Sequence, residues 1–252
     1  VQFESDNKVF IGELSLAGEL KKVRGTLPIT QKAAHENFAE IFVPEQNAVE
    51  AALVTGITVY PVKNINQLIL HLNGTQLIEP QPQTTFENIT QKNVIDLSDI
   101  RGQESAKRGL EIAAAGGHNI CMYGPPGTGK TMLARAFASL LPQLNLDEAL
   151  EVTGIHSIVG SNEIVENFLI SRPPFRSPHH TASYVALIGG GANVKPGEAT
   201  LAHRGVLFLD EFPEFDRKVI EALRQPLEDN YVSISRAKGS AQFPSNFILV
   251  AA

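Results

Sequence analysis

Residues 124–131 read GPPGTGKT, and 80 residues beyond Lys130 the run GVLFLDEF sets Asp210 and Glu211 behind four apolar residues. Gly124, Gly127 and Gly129 leave room for backbone N–H groups to turn toward phosphate oxygens, where a Cβ would obstruct them. Pro125, Pro126 and Thr128 complete the loop. Lys130 is expected to reach the β- and γ-phosphates of a nucleotide such as ATP, and Thr131 to ligate Mg²⁺. Met132 follows on a helix whose positive end points at the same anion. Every position of the G-x-x-x-x-G-K-[ST] pattern is filled.

Val206 to Leu209 reads as a buried parallel strand whose carboxyl end presents the two acids. Asp210 is the expected holder of the Mg²⁺ water shell, and Glu211 the group that polarises an attacking water, so Glu211 and Lys130 are the candidate catalytic pair. The alternative is a strand that ends in a solvated acidic turn. His179 and His180 invite a metal reading. On a strand, however, neighbours point to opposite faces, and no Cys or third spaced His completes a site, so they read as polar or core histidines.

The elements that must position these groups follow from periodicity. SDIRGQESAKRGLEIAAAGG offers a helix with Ala106, Leu110, Ala113 and Ala114 on one side and Gly116-Gly117 as its stop. Residues 119–123 read as a strand, and 132–141 as a helix closed by Pro142. A simple βαβ unit needs about 30 residues. The longer interval before Asp210 must hold another strand and an insertion, for which the apolar run 184–188 and the turn-prone GGGAN predict a projecting hairpin. Residues 215–227 read as a helix with Val219, Ile220, Leu223 and Leu227 on its apolar face. YVSISRAKGSAQF then reads as a hairpin with Arg236 and Lys238 near its tip, either a solvated basic turn or a pair of DNA contacts.

Upstream, residues 9–16 and 54–60 read as strands, and 30–38 as a helix. Residues 79–93, rich in Pro, Gln, Thr and Asn, read as a linker. The resulting division is 1–78, a linker over 79–96, and 97–252. A net charge of −6 excludes a wholly basic nucleic-acid binder, so any such site must be local. The single cysteine, Cys121, reads as a buried thiol in a reducing compartment. With no apolar run near the ~18 residues that cross a bilayer and no signal segment, the expectation is a cytoplasmic protein without a membrane partner.

DIRGQESAKRGLEIAAAGGHNICMYGPPGTGKT, PFRSPHHTAS, ALIGGG and LAHRGVLFLDEFPEF together resemble the Mg-chelatase-like branch of the AAA+ ATPases, specifically its competence-associated ComM (YifB-type) family. The resemblance implies an α/β fold with a P-loop core, use of ATP and Mg²⁺, a ring homo-hexamer, and helicase action on single-stranded or branched DNA. In that branch the insertion and the later hairpin face the pore, which favours Arg236 and Lys238 as DNA contacts.

FIGELSLAGELKKVRGTLPITQKAAHENFAEIFVPEQN is similar to the later part of a Lon-protease-like domain of the ribosomal-S5 second-domain type. Leu27 occupies the position of that protease's lysine, which disfavours proteolysis. Two alternatives are a metal-chelatase motor subunit and a Lon-like peptidase or protein-binding module. The opening without Met and the closing run FILVAA read as a piece of a longer product. Its sensor residue, lid and bridging arginine would lie beyond Ala252, its last sheet edge would be exposed, and residues 1–252 alone would be inactive.

Overall fold

A computed structural model of the chain describes residues 6–84, 95–160, 169–191, 194–236 and 239–252. The chain divides into two compact units, Val1–Ile89 with Thr153–Leu169, and Thr90–Val152 with Ile170–Ala252. Among the described residues no helix is long and apolar enough to cross a membrane.

The first unit is built on three parallel strands in the order β1-β4-β5, at Lys8–Phe10, Glu40–Pro44 and Thr58–Val62. Alternation along β4 gives it two buried faces. Ile41 and Val43 cluster with Ala48 and Ala51 of helix α2 (Glu45–Ala51), while Phe42 turns toward Leu68 of helix α3 (Ile65–Leu72). The register sets Phe10, Phe42 and Tyr60 side by side, and both ring pairs stack at 5.0 Å.

Boundaries in this unit shift at glycine and asparagine, several of them in left-handed backbone. The run 9–16 divides at Gly12 into β1 and β2 (Glu13–Leu14), which pairs antiparallel with β3 (Leu20–Lys21). Helix α1 occupies Thr26–His35 rather than 30–38, because Gly25 (φ 74°) starts it and Asn37 (φ 64°) lies past its end. The strand expected from Val54 begins only after Gly56 (φ 84°).

Within the expected linker, Gln81 N donates to Val59 O at 2.8 Å and Thr84 Oγ1 to Val49 O at 2.9 Å, which ties 79–84 to the first unit. Residues 85–94 lie outside the described residues. Thr153–Leu169 joins this unit partly through a buried polar cluster. Ser157 Oγ donates to Glu50 Oε1 at 2.7 Å and accepts from Gly25 N at 3.1 Å.

The second unit carries an all-parallel sheet in the order β6-β13-β10-β7, at Ile120–Cys121, Ile248–Ala251, Val206–Leu209 and Phe175–Arg176. All four residues of β10 are fully buried. Val206 and Phe208 face a cluster with Leu110 of α4 (Glu104–Gly116) and Leu133 and Phe137 of α5 (Lys130–Leu140). Leu207 and Leu209 face another with Leu187, Val219, Val232 and Ile234. Gly205 is required ahead of β10, since a Cβ there would lie 2.1 Å from Pro174 O.

Three expectations are corrected in this unit. Cys121 is exposed because β6 is an edge strand of the sheet. Residues 184–188 form a short helix, α7 (Tyr184–Ile188), started by Ser183 Oγ accepting from Ala186 N at 3.2 Å. The hairpin follows it, with Gly189–Gly190 (β8) paired to Lys195–Pro196 (β9). Past the four-residue helix α8 (Glu198–Leu201), the span 215–227 divides into α9 (Arg217–Ala222) and α10 (Arg224–Asp229). Pro226, having no N–H, fits only the first turn of a helix. The closing run FILVAA is a central strand, with Val250 fully buried between β6 and β10.

One charged cluster braces the entry to β10. Arg204 adopts φ 59° and donates from Nε to Glu151 Oε2 at 2.6 Å and from Nη1 to Glu148 Oε1 at 2.7 Å. Both acids lie on α6 (Leu146–Val159). Buried His203 accepts from Asn246 N through Nδ1 at 3.0 Å, and its Nε2 lies 3.2 Å from Glu151 Oε2, an electrostatic contact without hydrogen-bond geometry.

Burial holds the His203 pKa below its ordinary 6.5, outweighing the pull of Glu151. Burial acts to raise Glu151, but the hydrogen bond from Arg204 and the contact with His203 prevail and hold it below 4.5. Both depressions mean that the unfolded chain binds more protons as pH falls, from about 6.5 at His203 and then from about 4.5 at Glu151. The expected outcome is a urea midpoint that falls between about pH 7.5 and pH 5.5, and falls less in His203→Gln. Denaturation followed by circular dichroism checks this, and equal pH slopes for the two proteins would contradict it.

Candidate functional site

Parallel pairing aligns the carboxyl ends of β6, β13 and β10, so the loop after β6 and the acids after β10 emerge at the same end of the sheet, two strands apart. That end is where open α/β sheets place ligands. Gly127 (φ 78°) and Gly129 (φ 86°) hold left-handed conformations, and a Cβ on either would project into open space with no protein atom within 4 Å. The loop thus curves through backbone conformations that favour glycine, with its inner side open. Thr128 Oγ1 donates to Pro125 O at 2.9 Å, and Lys130 Nζ donates to Gly124 O at 2.9 Å and Pro125 O at 3.3 Å. These bonds fold the ammonium back over the loop, beside the start of α5, whose helix N-terminus is suited to an anion.

Thr131, in the first turn of α5, donates from Oγ1 to Asp210 Oδ2 at 2.9 Å across 79 residues of sequence. Two hard oxygen donors on rigid elements suit Mg²⁺. Glu211 adopts φ 54°, and its side chain is 65% exposed, so its carboxylate stands clear of the β10 core. His180 Nδ1 lies 2.8 Å from Glu211 Oε2, a pairing that the sequence reading of His179 and His180 missed. PHH lies in the interval between the glycine loop and Asp210, and nothing in its spacing points to Glu211. Among the described residues, no group of three His, Cys, Asp or Glu is placed to hold a metal ion.

A cavity of about 480 Å³ adjoins the loop, lined by Gln103, Ala106, Gly109, Leu110, Gly124 and Lys130. Gln103 Nε2 reaches Thr128 O at 3.4 Å from the start of α4. Met132 is exposed on α5. Arg236 ends β11 (Tyr231–Arg236), which pairs antiparallel with β12 (Gly239–Pro244), while Lys238 lies outside the described residues.

The parallel sheet, glycine loop and Thr131–Asp210 pair define a P-loop site of the AAA+ ATPase class. The chain belongs to the magnesium chelatase subunit ChlI family, whose model matches residues 96–252, and a second model described as subunit ChlI of Mg-chelatase matches residues 1–47. It is 47% identical over 246 residues to the competence protein ComM of Haemophilus influenzae, covering 96% of this chain and 48% of that protein. It is 43% identical over 248 residues to YifB of Escherichia coli K12, covering 98% and 48%. The chain thus spans about half the length of these relatives. Its fold is similar to a solved complex of magnesium chelatase subunits BchI and BchD, with a TM-score of 0.50 and 25% identity over 64% of this chain and 55% of that one.

Lys130→Ala removes the ammonium held at the loop, and the expected loss of MgATP affinity in the full-length protein is about 1.5 to 3 kcal/mol, the worth of a charge-assisted phosphate contact. Titration with a fluorescent ATP analogue measures it, and unchanged affinity would remove Lys130 from the site.

Proposed function

We propose that the full-length protein is a ring-forming ATPase that uses hydrolysis to move on single-stranded or branched DNA. The observation that carries the ATPase half is the 2.9 Å bond from Thr131 to Asp210, which joins the phosphate loop to the acid strand. In this reading Gly124 to Met132 cradle the triphosphate, Lys130 neutralises its outer phosphates, and the adjoining cavity takes the nucleoside. Thr131 and Asp210 would hold Mg²⁺, which supplies charge neutralisation on the phosphate oxygens. Glu211, exposed and just past Asp210, orients and polarises the attacking water.

The DNA half is supported by the resemblance to the ComM-type family and by the β11–β12 hairpin, whose strand register runs to Arg236↔Gly239 at the tip. A hexameric ring is part of the same reading, as is the Lon-like identity of the first unit. Leu27 there is fully buried and has no proton to exchange, which weighs against peptidase activity. A second reading, a motor for metal insertion, is favoured by the chelatase family model and by the BchI–BchD likeness.

DNA separates the two. Steady-state phosphate release by the full-length protein is expected to rise with forked DNA. Arg236→Ala with Lys238→Ala should reduce the slope of log affinity against log salt by about 0.7 to 0.9 for each lost phosphate contact, with little change in DNA-free turnover. An absence of DNA binding would favour the metal-insertion reading. An unaltered salt slope would leave the tip a solvated turn.

A further inference from the structure

Helix α4 carries a glycine in its interior that neither backbone nor packing requires. Gly109 lies near the middle of Glu104–Gly116 and has no positive φ, and glycine in a helix interior is destabilising relative to alanine. A Cβ at this position would meet no protein atom within 4 Å, so no close neighbour demands its absence. The residue is exposed, and it lines the cavity of about 480 Å³ beside the phosphate loop.

That cavity has two kinds of wall. Gly124, Thr128 and Lys130 belong to the loop and give it a polar end. Ala106, Leu110, Ile120 and Leu133 elsewhere on its lining are apolar, and Gln103 adds an amide that has both donors and an acceptor and whose Nε2 reaches Thr128 O at 3.4 Å. Such a site, mostly apolar with a few convergent polar groups at one end, suits a nucleoside triphosphate, which is charged at one end and flat and weakly polar at the other. Gly109 and Ala106 are one turn apart on α4, so the helix presents little side-chain bulk to this part of the cavity.

We propose that Gly109 sets the size of the nucleobase subsite: the base of the bound nucleotide takes the space that a side chain at 109 would fill. The phosphate loop grips a triphosphate whatever its base, and residue 109 acts only on the base end. A glycine that weakens the helix is then explained by what it admits. The inference rests on the reading of the loop and cavity as an ATP site.

The test uses full-length protein with four substitutions. Gly109→Leu puts bulk at the cavity wall, and Gly109→Ala adds only a methyl group. Ala115→Leu puts bulk at an exposed position of α4 that does not line the cavity, and Lys130→Ala removes the loop ammonium. Calorimetric titration gives Kd for MgATP and for magnesium tripolyphosphate, which has the phosphates without the base. Gly109→Leu is expected to raise the MgATP Kd about tenfold or more, with the tripolyphosphate Kd within about twofold of the parent. Gly109→Ala should raise the MgATP Kd by about two- to tenfold while melting at a higher temperature, because alanine is the better helix former. Ala115→Leu should match the parent with both ligands.

A Gly109→Leu or Gly109→Ala that binds MgATP like the parent, or that loses tripolyphosphate as much as MgATP, would overturn the role of residue 109. A Lys130→Ala that binds both ligands like the parent would instead overturn the phosphate-loop reading. The two failures are thus distinguishable.

Discussion

The hydrogen bond between Thr131 and Asp210 is the constraint on which the site depends, because it requires two segments 79 residues apart to end within 2.9 Å of each other. Local structure cannot deliver that. It follows from the strand order, in which β13 pairs with β6 on one side and β10 on the other, so that loop and acids leave the same end of one rigid sheet. Burial fixes the register. A slip of one residue would exchange Val206 and Phe208 with Leu207 and Leu209 between two differently shaped clusters.

Left-handed backbone marks the glycine loop and both ends of β10. Gly127 and Gly129 take positive φ where the loop curves, Glu211 does so at the end of β10, and Arg204 does so at its start. Arg204 and Glu211 are not glycine, and such conformations persist only where the surroundings over-determine them. At Arg204 the determinants are Glu148, Glu151 and Asn246 O, the last accepting from Arg204 N at 2.6 Å. At Glu211 they include the backbone bond to Asp210 and the contact with His180. Strand β10 is thus braced at both ends by side chains, while its middle is held by apolar packing.

Much of this was legible in the residues. The phosphate loop, the buried acid strand and the hairpin with Val232 and Ile234 facing inward each carry a local signature, of glycine spacing, a four-residue apolar run and period-two alternation respectively. The rest depends on tertiary position. The run 184–188 is too short for its period to distinguish helix from strand, and a serine cap decided it. The burial of Cys121 turned on whether β6 was an edge, and the place of FILVAA on which strands flank it, neither of which is written in adjacent residues. The pairing of His180 with Glu211 joins two loops, and no periodicity connects them.

The central claim is that Thr131 and Asp210 together receive a metal-bound triphosphate. Calorimetric titration of ATP into the full-length protein, with Mg²⁺ and with Mg²⁺ chelated, tests it most directly when the parent is compared with Asp210→Asn. The account predicts that Mg²⁺ tightens ATP binding to the parent by about tenfold or more, roughly one charge-assisted interaction, and that Asp210→Asn loses most of this gain while still binding free ATP. An equal Mg²⁺ dependence in the two proteins would contradict it.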